Sequence, residues 1–340
     1  MSATDLELSI VTQFPAVIEN EGSITIPAKA LLHFAQYTTD SELILETVEG
    51  TQLKCTSKHS KTTIAGEAAT EFPAIAPVEK KNSFSLDGSL LLTALHAVTF
   101  ACARSTLRPV LSGVYVRSEQ GKLIFAATDS YRLSEYTAQA DSIGADIACI
   151  IPVKVLEELR AAVGAQKGGK KEQEEKEEKE QPPPIEIILN PQQVEFRIGQ
   201  TRLISRLIEG KFPDYRQIIP QQFSVTATLP VHEFSTVVKR MHYFAKEMNN
   251  SLSLHVQKKG VRIATPQTQL GKDEAELSAE AMSGEGKIAL SSSYLLDFLN
   301  HIDANRVSMR MTDSMHPAVF SAHDDQRFIH LIMPLRMQEE

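Results

Sequence analysis

At 340 residues the chain has room for two or three hydrophobic cores, and its 42% hydrophobic and 23% charged content is that of an ordinary globular protein, not a fibrous or disordered one. No run of roughly 18 apolar residues occurs, so no helical membrane span is expected; the first residues also lack the basic-then-apolar pattern of a secretory signal, and a cytoplasmic protein is expected. The net charge of −8 excludes a surface that grips nucleic acid everywhere but leaves room for a basic face on an acidic body.

The chain opens with Ala3-Thr4-Asp5-Leu6-Glu7-Leu8 and a first alternating run. Ile24-Thr25-Ile26-Pro27 then leads into apolar residues at helical spacing, with proline suited to a first turn. Strand-like runs over 43–48 and 52–56 flank a Glu49-Gly50 turn, and the segment closes on Glu71-Phe72-Pro73. Further on, Lys122-Leu123-Ile124-Phe125 runs into Ala126-Ala127-Thr128-Asp129-Ser130-Tyr131-Arg132-Leu133, which predicts a strand, a polar corner and a second strand. Pro152-Val153-Lys154-Val155-Leu156 repeats the strand-to-helix entry, 185–189 and 194–198 repeat the hairpin, and Lys211-Phe212-Pro213 repeats the close. A third copy follows: an amphipathic helix over 230–246 with Phe234, Val237, Val238 and Met241 on one face, a strand reaching Ala264-Thr265-Pro266, and an entry at 286–296 with serines as N-cap candidates. Runs at 307–312 and 318–322 form the last hairpin pair.

Repeats of this kind govern the fold. Asp5 precedes Pro27 by 22 residues and Asp129 precedes Pro152 by 23, but Pro27 precedes Pro73 by 46 where Pro152 precedes Pro213 by 61. The excess of 15 matches Lys167 to Gln181, a Gly/Lys/Glu tract without a large apolar side chain, expected to be a solvated insertion. Each full unit predicts strand, helix and several strands, performed twice: an α+β domain of antiparallel sheet with two helices on one face. Three such units in tandem are expected, over residues 1–81, 82–221 (carrying the 167–181 insertion) and 222–340. Phe84 stands 45 residues before Asp129 and Phe223 stands 43 before Pro266, whereas only four residues precede Asp5; the opening strand-helix-strand portion of unit one is expected to be missing here.

Catalytic signatures are thin. Thr128-Asp129 reads as a turn in which the aspartate bonds its own backbone. His323-Asp324-Asp325 falls where a hairpin turn is due, though a hydrolase using His323 and Asp324 is one alternative. Cys55, Cys102 and Cys149 lie far apart and odd in number, which predicts reduced buried thiols and neither a disulfide nor a metal framework. No phosphate-loop, dinucleotide or zinc-protease motif occurs, so no enzyme, cofactor or metal is expected. Helix candidates carry Lys29, Lys154, Lys239 and Arg240, with Arg104 and Arg108 just beyond another, and several point off the apolar face, as contact with a polyanion requires. The terminal Leu331-Ile332-Met333-Pro334-Leu335-Arg336-Met337 places adaptable methionines where a surface could receive several partners.

Four ordered stretches resemble one family, the bacterial beta sliding clamps that serve as processivity subunit of DNA polymerase III. They are Ala127-Thr128-Asp129-Ser130-Tyr131-Arg132-Leu133, Leu207-Ile208-Glu209-Gly210-Lys211-Phe212-Pro213-Asp214-Tyr215-Arg216, Tyr294-Leu295-Leu296-Asp297 and Met333-Pro334-Leu335-Arg336-Met337. The resemblance spans the whole chain apart from the Lys/Glu tract. It departs at Ser130, where the family has glycine, and in the order of apolar residues at the terminus. It implies a DNA-clamp fold, closed in the family by two head-to-tail protomers around duplex DNA that is bound without regard to sequence. The six cations above would face that DNA. It also implies a pocket between units two and three for short Gln/Leu/Phe motifs of the replicative polymerase and clamp-loader subunits. Its walls would be Leu111, Thr128, Tyr131, Arg132, Leu133, Pro213, Ile218, Ser291, Tyr294, Met315, Pro317 and Leu331 to Met337. At the protomer joint, Ile64 would meet Tyr243 and Phe244, with Lys58 or Lys61 facing Glu274 or Glu276; with unit one incomplete, closure by this chain is expected to be weak. The alternative reading is a clamp-derived peptide-binding module that does not encircle DNA.

Overall fold

The computed structural model describes residues 1–49, 51–105, 107–140, 143, 146–168 and 182–336, with backbone alone for 165–168. The Lys/Glu tract beyond Gly168 and the terminal Met337 lie outside the described residues.

Unit one comprises β1 (Ser2–Thr4), β2 (Leu8–Thr12), α1 (Ala28–Gln36), β3 (Ile44–Val48), β4 (Gln52–Thr56) and β5 (Lys61–Ala65). Unit two runs through β6 (Asn82–Leu86), α2 (Gly88–Val98), β7 (Gly113–Glu119), β8 (Lys122–Thr128), β9 (Arg132–Gln139), β10 (Ala148–Pro152), α3 (Val153–Gly168), β11 (Ile185–Leu189), β12 (Gln193–Ile198) and β13 (Thr201–Arg206). Unit three holds β14 (Val225–Pro230), α4 (Val231–Ala245), β15 (Ser251–Gln257), β16 (Gly260–Ala264), β17 (Glu274–Leu277), β18 (Ala281–Ser283), β19 (Gly286–Ser291), α5 (Ser292–Leu299), β20 (Arg306–Met311), β21 (Ala318–Ala322) and β22 (Phe328–Ile332). The expected α+β class and its repetition are therefore present in chain order.

The sheets do not stop at the unit boundaries. A six-stranded sheet runs β1-β2-β13-β12-β11-β6, and a nine-stranded one runs β10-β7-β8-β9-β22-β21-β20-β14-β18. Units one and two are joined where β2 pairs with β13, and units two and three where β9 pairs with β22, both antiparallel. Two smaller sheets, β17-β16-β15-β19 and β3-β4-β5, have β17 and β19, and β3 and β5, as their edge strands among the described residues.

The helices lie between sheets. Phe234, Val238, Met241 and Ala245 recur every three or four residues along α4 and are fully buried, while Lys239 and Arg240 point away. Leu156 and Leu159 do the same for α3, and Leu295 and Phe298 for α5. Their apolar stripes meet those of α2 and of the sheets in a single core that runs across both complete units. On the opposite sheet faces, Val78 packs with Ile188 and Ile204 across the first joint, and Phe212 and Tyr215 pack with Leu133 and Leu331 across the second. Each connection between units thus straps the joint it spans.

Two details depart from expectation, and a third bears on the hydrolase alternative. Ser291 occupies the N-cap of α5 without a side-chain cap bond, and Ser292 Oγ meets His242 Nδ1 at 2.8 Å instead. Cys55 and Cys102 are buried as expected, but Cys149 is only half-buried; burial pushes the thiols of Cys102 and Cys149 up to about 12. His323 and Asp324 diverge: His323 Nδ1 lies 3.1 Å from Ser308 Oγ while Asp324 pairs with Arg306, so the geometry of a hydrolytic pair is not formed.

Candidate partner cleft and helix surface

The corner between β8 and β9 is built by its own side chains. Thr128 Oγ1 donates to the Arg132 carbonyl at 2.6 Å and accepts from Ser130 N, and Asp129 Oδ1 accepts from the amides of Tyr131 and Arg132 at 2.9 and 3.0 Å. Ser130 is forced to a φ of +80°, where glycine is the least strained residue. The β1–β2 corner repeats this bond for bond: Thr4 Oγ1 donates to Leu8 O, Leu6 N donates to Thr4, and Asp5 Oδ1 accepts from Glu7 N and Leu8 N, with Leu6 at +75°. The third copy is looser, since Thr265 bonds Asp273 across a longer loop.

Beneath the second corner, Leu111, Leu133 and Leu331 are buried together with Phe212, Tyr215 and Val319. The terminal segment closes one side: Met333 N donates to Tyr131 O at 2.9 Å and Leu335 N to Ala289 O at 2.8 Å, so Met333, Pro334 and Leu335 lie half-buried between the corner and β19. Tyr131, Pro213 and Ile218 stand exposed at the rim, Thr128, Ser291, Pro317 and Ile332 are buried, and Arg336 points to solvent. Met315 is 80% exposed in the turn between β20 and β21.

Arg132 is the buried charge of this cleft. Its side chain is 6% exposed, with Nε 3.0 Å from Asp129 Oδ2 and Nη1 2.5 Å from Asp297 Oδ2. Its guanidinium lies over the rings of Tyr294, at 4.7 Å, and Phe100, at 5.6 Å. Burial raises the Tyr294 hydroxyl pKa, and Asp129 adds to the rise. Phe100 stacks on His301 at 4.3 Å, His301 sits 4.7 Å from His96, and His330 lies fully buried between Phe100 and Phe298. Sequence reading missed Phe100, Asp297, His301 and His330 as parts of this site; only the three-residue spacing of Tyr294 and Asp297 on α5 hints that those two share a face.

The helices carry a second surface. A groove of about 570 Å³ runs between α2 and α3, lined by Leu92, Thr93, His96, Glu157, Arg160, Ala161 and, from unit three, Asp303. Another of about 390 Å³ runs between α4 and α5, lined in part by His232, Ser235, Lys239 and Asn305. Burial lowers the His96 pKa, with His301 and Arg160 adding to the fall, so this ring is neutral at pH 7.

Models of the DNA polymerase III beta subunit match end to end: its N-terminal domain over residues 1–76, its central domain over 85–214 and its C-terminal domain over 216–336. The chain belongs to the DNA polymerase III beta-subunit family. The beta sliding clamp of Synechocystis sp. is 29% identical over 357 residues, and that of Staphylococcus aureus strain Mu50 27% over 346; each alignment covers 99% of this chain and 88% of the relative. The fold matches the DNA polymerase sliding clamp of Bacillus subtilis at a TM-score of 0.87 and 24% identity, covering 99% of this chain and 88% of that one. It matches the DNA polymerase III beta subunit of Thermotoga maritima at 0.87 and 23%, with the same coverage.

Within this family fold, the residues expected to face DNA divide. Lys29, Arg104, Lys154 and Lys239 are exposed. Arg240 is exposed but held bidentate by Asp273, Nε to Oδ2 at 2.7 Å and Nη2 to Oδ1 at 3.0 Å, so most of its charge is spent within unit three. Arg108 is exposed as well, and its Nη1 lies 3.4 Å from Ser130 Oγ at the cleft corner. Of the residues expected at a protomer joint, Ile64 is 6% exposed within the chain, packed with Leu53 and Cys55 beneath α1 as the one large apolar residue that β5 gives to the small core of unit one. Tyr243 is exposed, and Phe244 is half-buried against it. Glu274 is gripped by Arg262 at 2.6 and 2.7 Å, while Glu276, Lys58 and Lys61 are exposed.

Proposed function

We propose that this chain is a DNA sliding clamp that tethers the replicative polymerase for processive synthesis and has no chemistry of its own. The carrying observation is the repeated joint. β2 meets β13 and β9 meets β22 at matching positions of the repeat, Thr12 opposite Thr201 and Tyr136 opposite Phe328. Continuing the pattern, the next pair is β17 with β5, which within one chain are both free edges. Two copies placed head to tail satisfy both edges twice and close a ring, with Lys61 on β5 near Glu276 on the partner subunit's β17. A ring holds DNA by topology, so exposed cations such as Lys29, Lys154 and Lys239 need give only weak, sequence-blind phosphate contacts that allow sliding. An overall charge of −8 is compatible with that task.

Polymerase and clamp-loader subunits would dock through short apolar motifs in the cleft under Tyr131 and Tyr294, where a buried floor and a few polar groups fix register. Loaded onto nicked circular duplex, the protein should remain bound, and linearising that DNA should release it. Deleting residues 333–337 should weaken a labelled peptide of Gln, Leu and Phe by about 2 kcal/mol or more, the scale of an interface hot spot. Equal retention on linear and circular DNA would instead favour a peptide-binding module that does not encircle DNA.

A further inference from the structure

We propose that Asp297 is a positioning residue for the cleft, acting through Arg132 to hold the Tyr294 wall in place for a bound peptide. The proposal rests on the cleft being the partner-binding site. Arg132 comes from unit two, Tyr294 and Asp297 come from α5 in unit three, and His301 comes from the turn just beyond that helix. The contacts close a cycle. Asp297 holds Arg132 Nη1, Arg132 lies over Tyr294 and Phe100, Phe100 stacks on His301, and His301 Nδ1 meets the Asp297 carbonyl at 2.7 Å. A guanidinium fixed on both sides by carboxylates is planar and pre-organised, and it fixes the ring it covers.

The first joint of the same molecule is a built-in control. It has the same antiparallel pairing and the same corner bonds, and the residue in the place of Arg132 is Leu8, opposite Ser205 as Arg132 is opposite Ile332. A joint of this fold therefore forms without an arginine at that position. The ion pair is found at the joint that carries the cleft, which assigns it to the cleft and not to joining the sheets.

The test is the affinity of a labelled Gln/Leu/Phe peptide, measured alongside the unfolding midpoint of each variant. Asp297→Asn should weaken the peptide about tenfold while the midpoint stays close to that of the parent, and Asp297→Glu should restore most of the affinity. Arg132→Leu, which copies the first joint, should weaken it comparably. Because Asp297 acts through Arg132, the double variant should bind no worse than Arg132→Leu alone, the signature of coupled sites. Parental affinity in Asp297→Asn, with binding lost on deleting 333–337, would overturn the positioning role and leave the cleft standing. Additive losses would mean that Asp297 touches the peptide itself, which also overturns it. Unchanged binding in the deletion would remove the cleft reading, and the proposal with it.

Discussion

His330 shows how one side chain ties stability to proton concentration. It is fully buried opposite Ser134 in the β9–β22 pair, its Nδ1 2.8 Å from Ser134 Oγ and its Nε2 without a hydrogen-bond partner among the described residues. Burial lowers its pKa well below the ordinary histidine value, and the neighbouring Arg132 and His301 push the same way. His96 and His242 are lowered too, again first by burial. The unfolded chain then binds more protons than the folded one below pH about 6.5, so stability present at neutral pH is lost as pH falls through that value toward the folded pKa values. Each such histidine can contribute a slope of up to ~1.4 kcal/mol per pH unit in that window. Urea unfolding at pH 7.5, 6.5 and 5.5 should show this loss, and His330→Phe should make the slope shallower by one histidine's share. A slope unchanged by the substitution would mean that His330 already carries its proton when folded.

At the scale of an element, α5 does two jobs with neighbouring stripes of its surface. Leu295 and Phe298 point into the core, where Phe298 packs against Phe320, Phe328 and His330 with ring centroids 5.3, 5.8 and 5.1 Å away. Tyr294 and Asp297 point to the cleft. Phe298→Ala should cost about 3–5 kcal/mol, the usual range for a buried aromatic in a tightly packed site, read as a fall in the urea midpoint. Peptide affinity measured well below that midpoint should fall less than in Asp297→Asn, since the cleft side of the helix keeps its contacts.

For the whole molecule, the proposed closure would use β5 and β17, which lie at sheet edges among the described residues. Unit one presents a sheet of three strands and one covering helix, with Leu32, Ile44 and Leu45 exposed. Such a surface favours association but does not choose a partner. In the proposed ring charge would choose it, with Lys58 and Lys61 on one side and Glu276 on the other. Glu276→Lys should weaken self-association in sedimentation at micromolar concentration and low salt, and Lys61→Glu in the same chain should recover part of it. Exposed pairs are worth about 0.2–1 kcal/mol each and are screened by salt. The shift should therefore shrink as ionic strength rises; a shift independent of salt would place the two residues away from the joint.

The sequence by itself determined the triplication, the strand-corner-strand motif, the hairpins and the buried stripe of α4. These depend on residues close together along the chain: a Thr-Asp pair bonding amides two and three positions on, or apolar residues every three or four. The family resemblance also named Leu111, Leu133 and Leu331 among the walls of one pocket, and these three are buried together. Only the tertiary structure decided where charges ended. Arg240 looked free until Asp273, 33 residues away, was seen to hold it, and Arg132 meets Asp297 across 165 residues. Ile64 was likewise ambiguous, since β5 reads Lys-Thr-Thr-Ile-Ala and its one large apolar residue cannot reveal which face is covered. Periodicity reports which side of an element avoids water, whereas the partner of a charge, and the helix that covers a strand, are fixed by long-range packing.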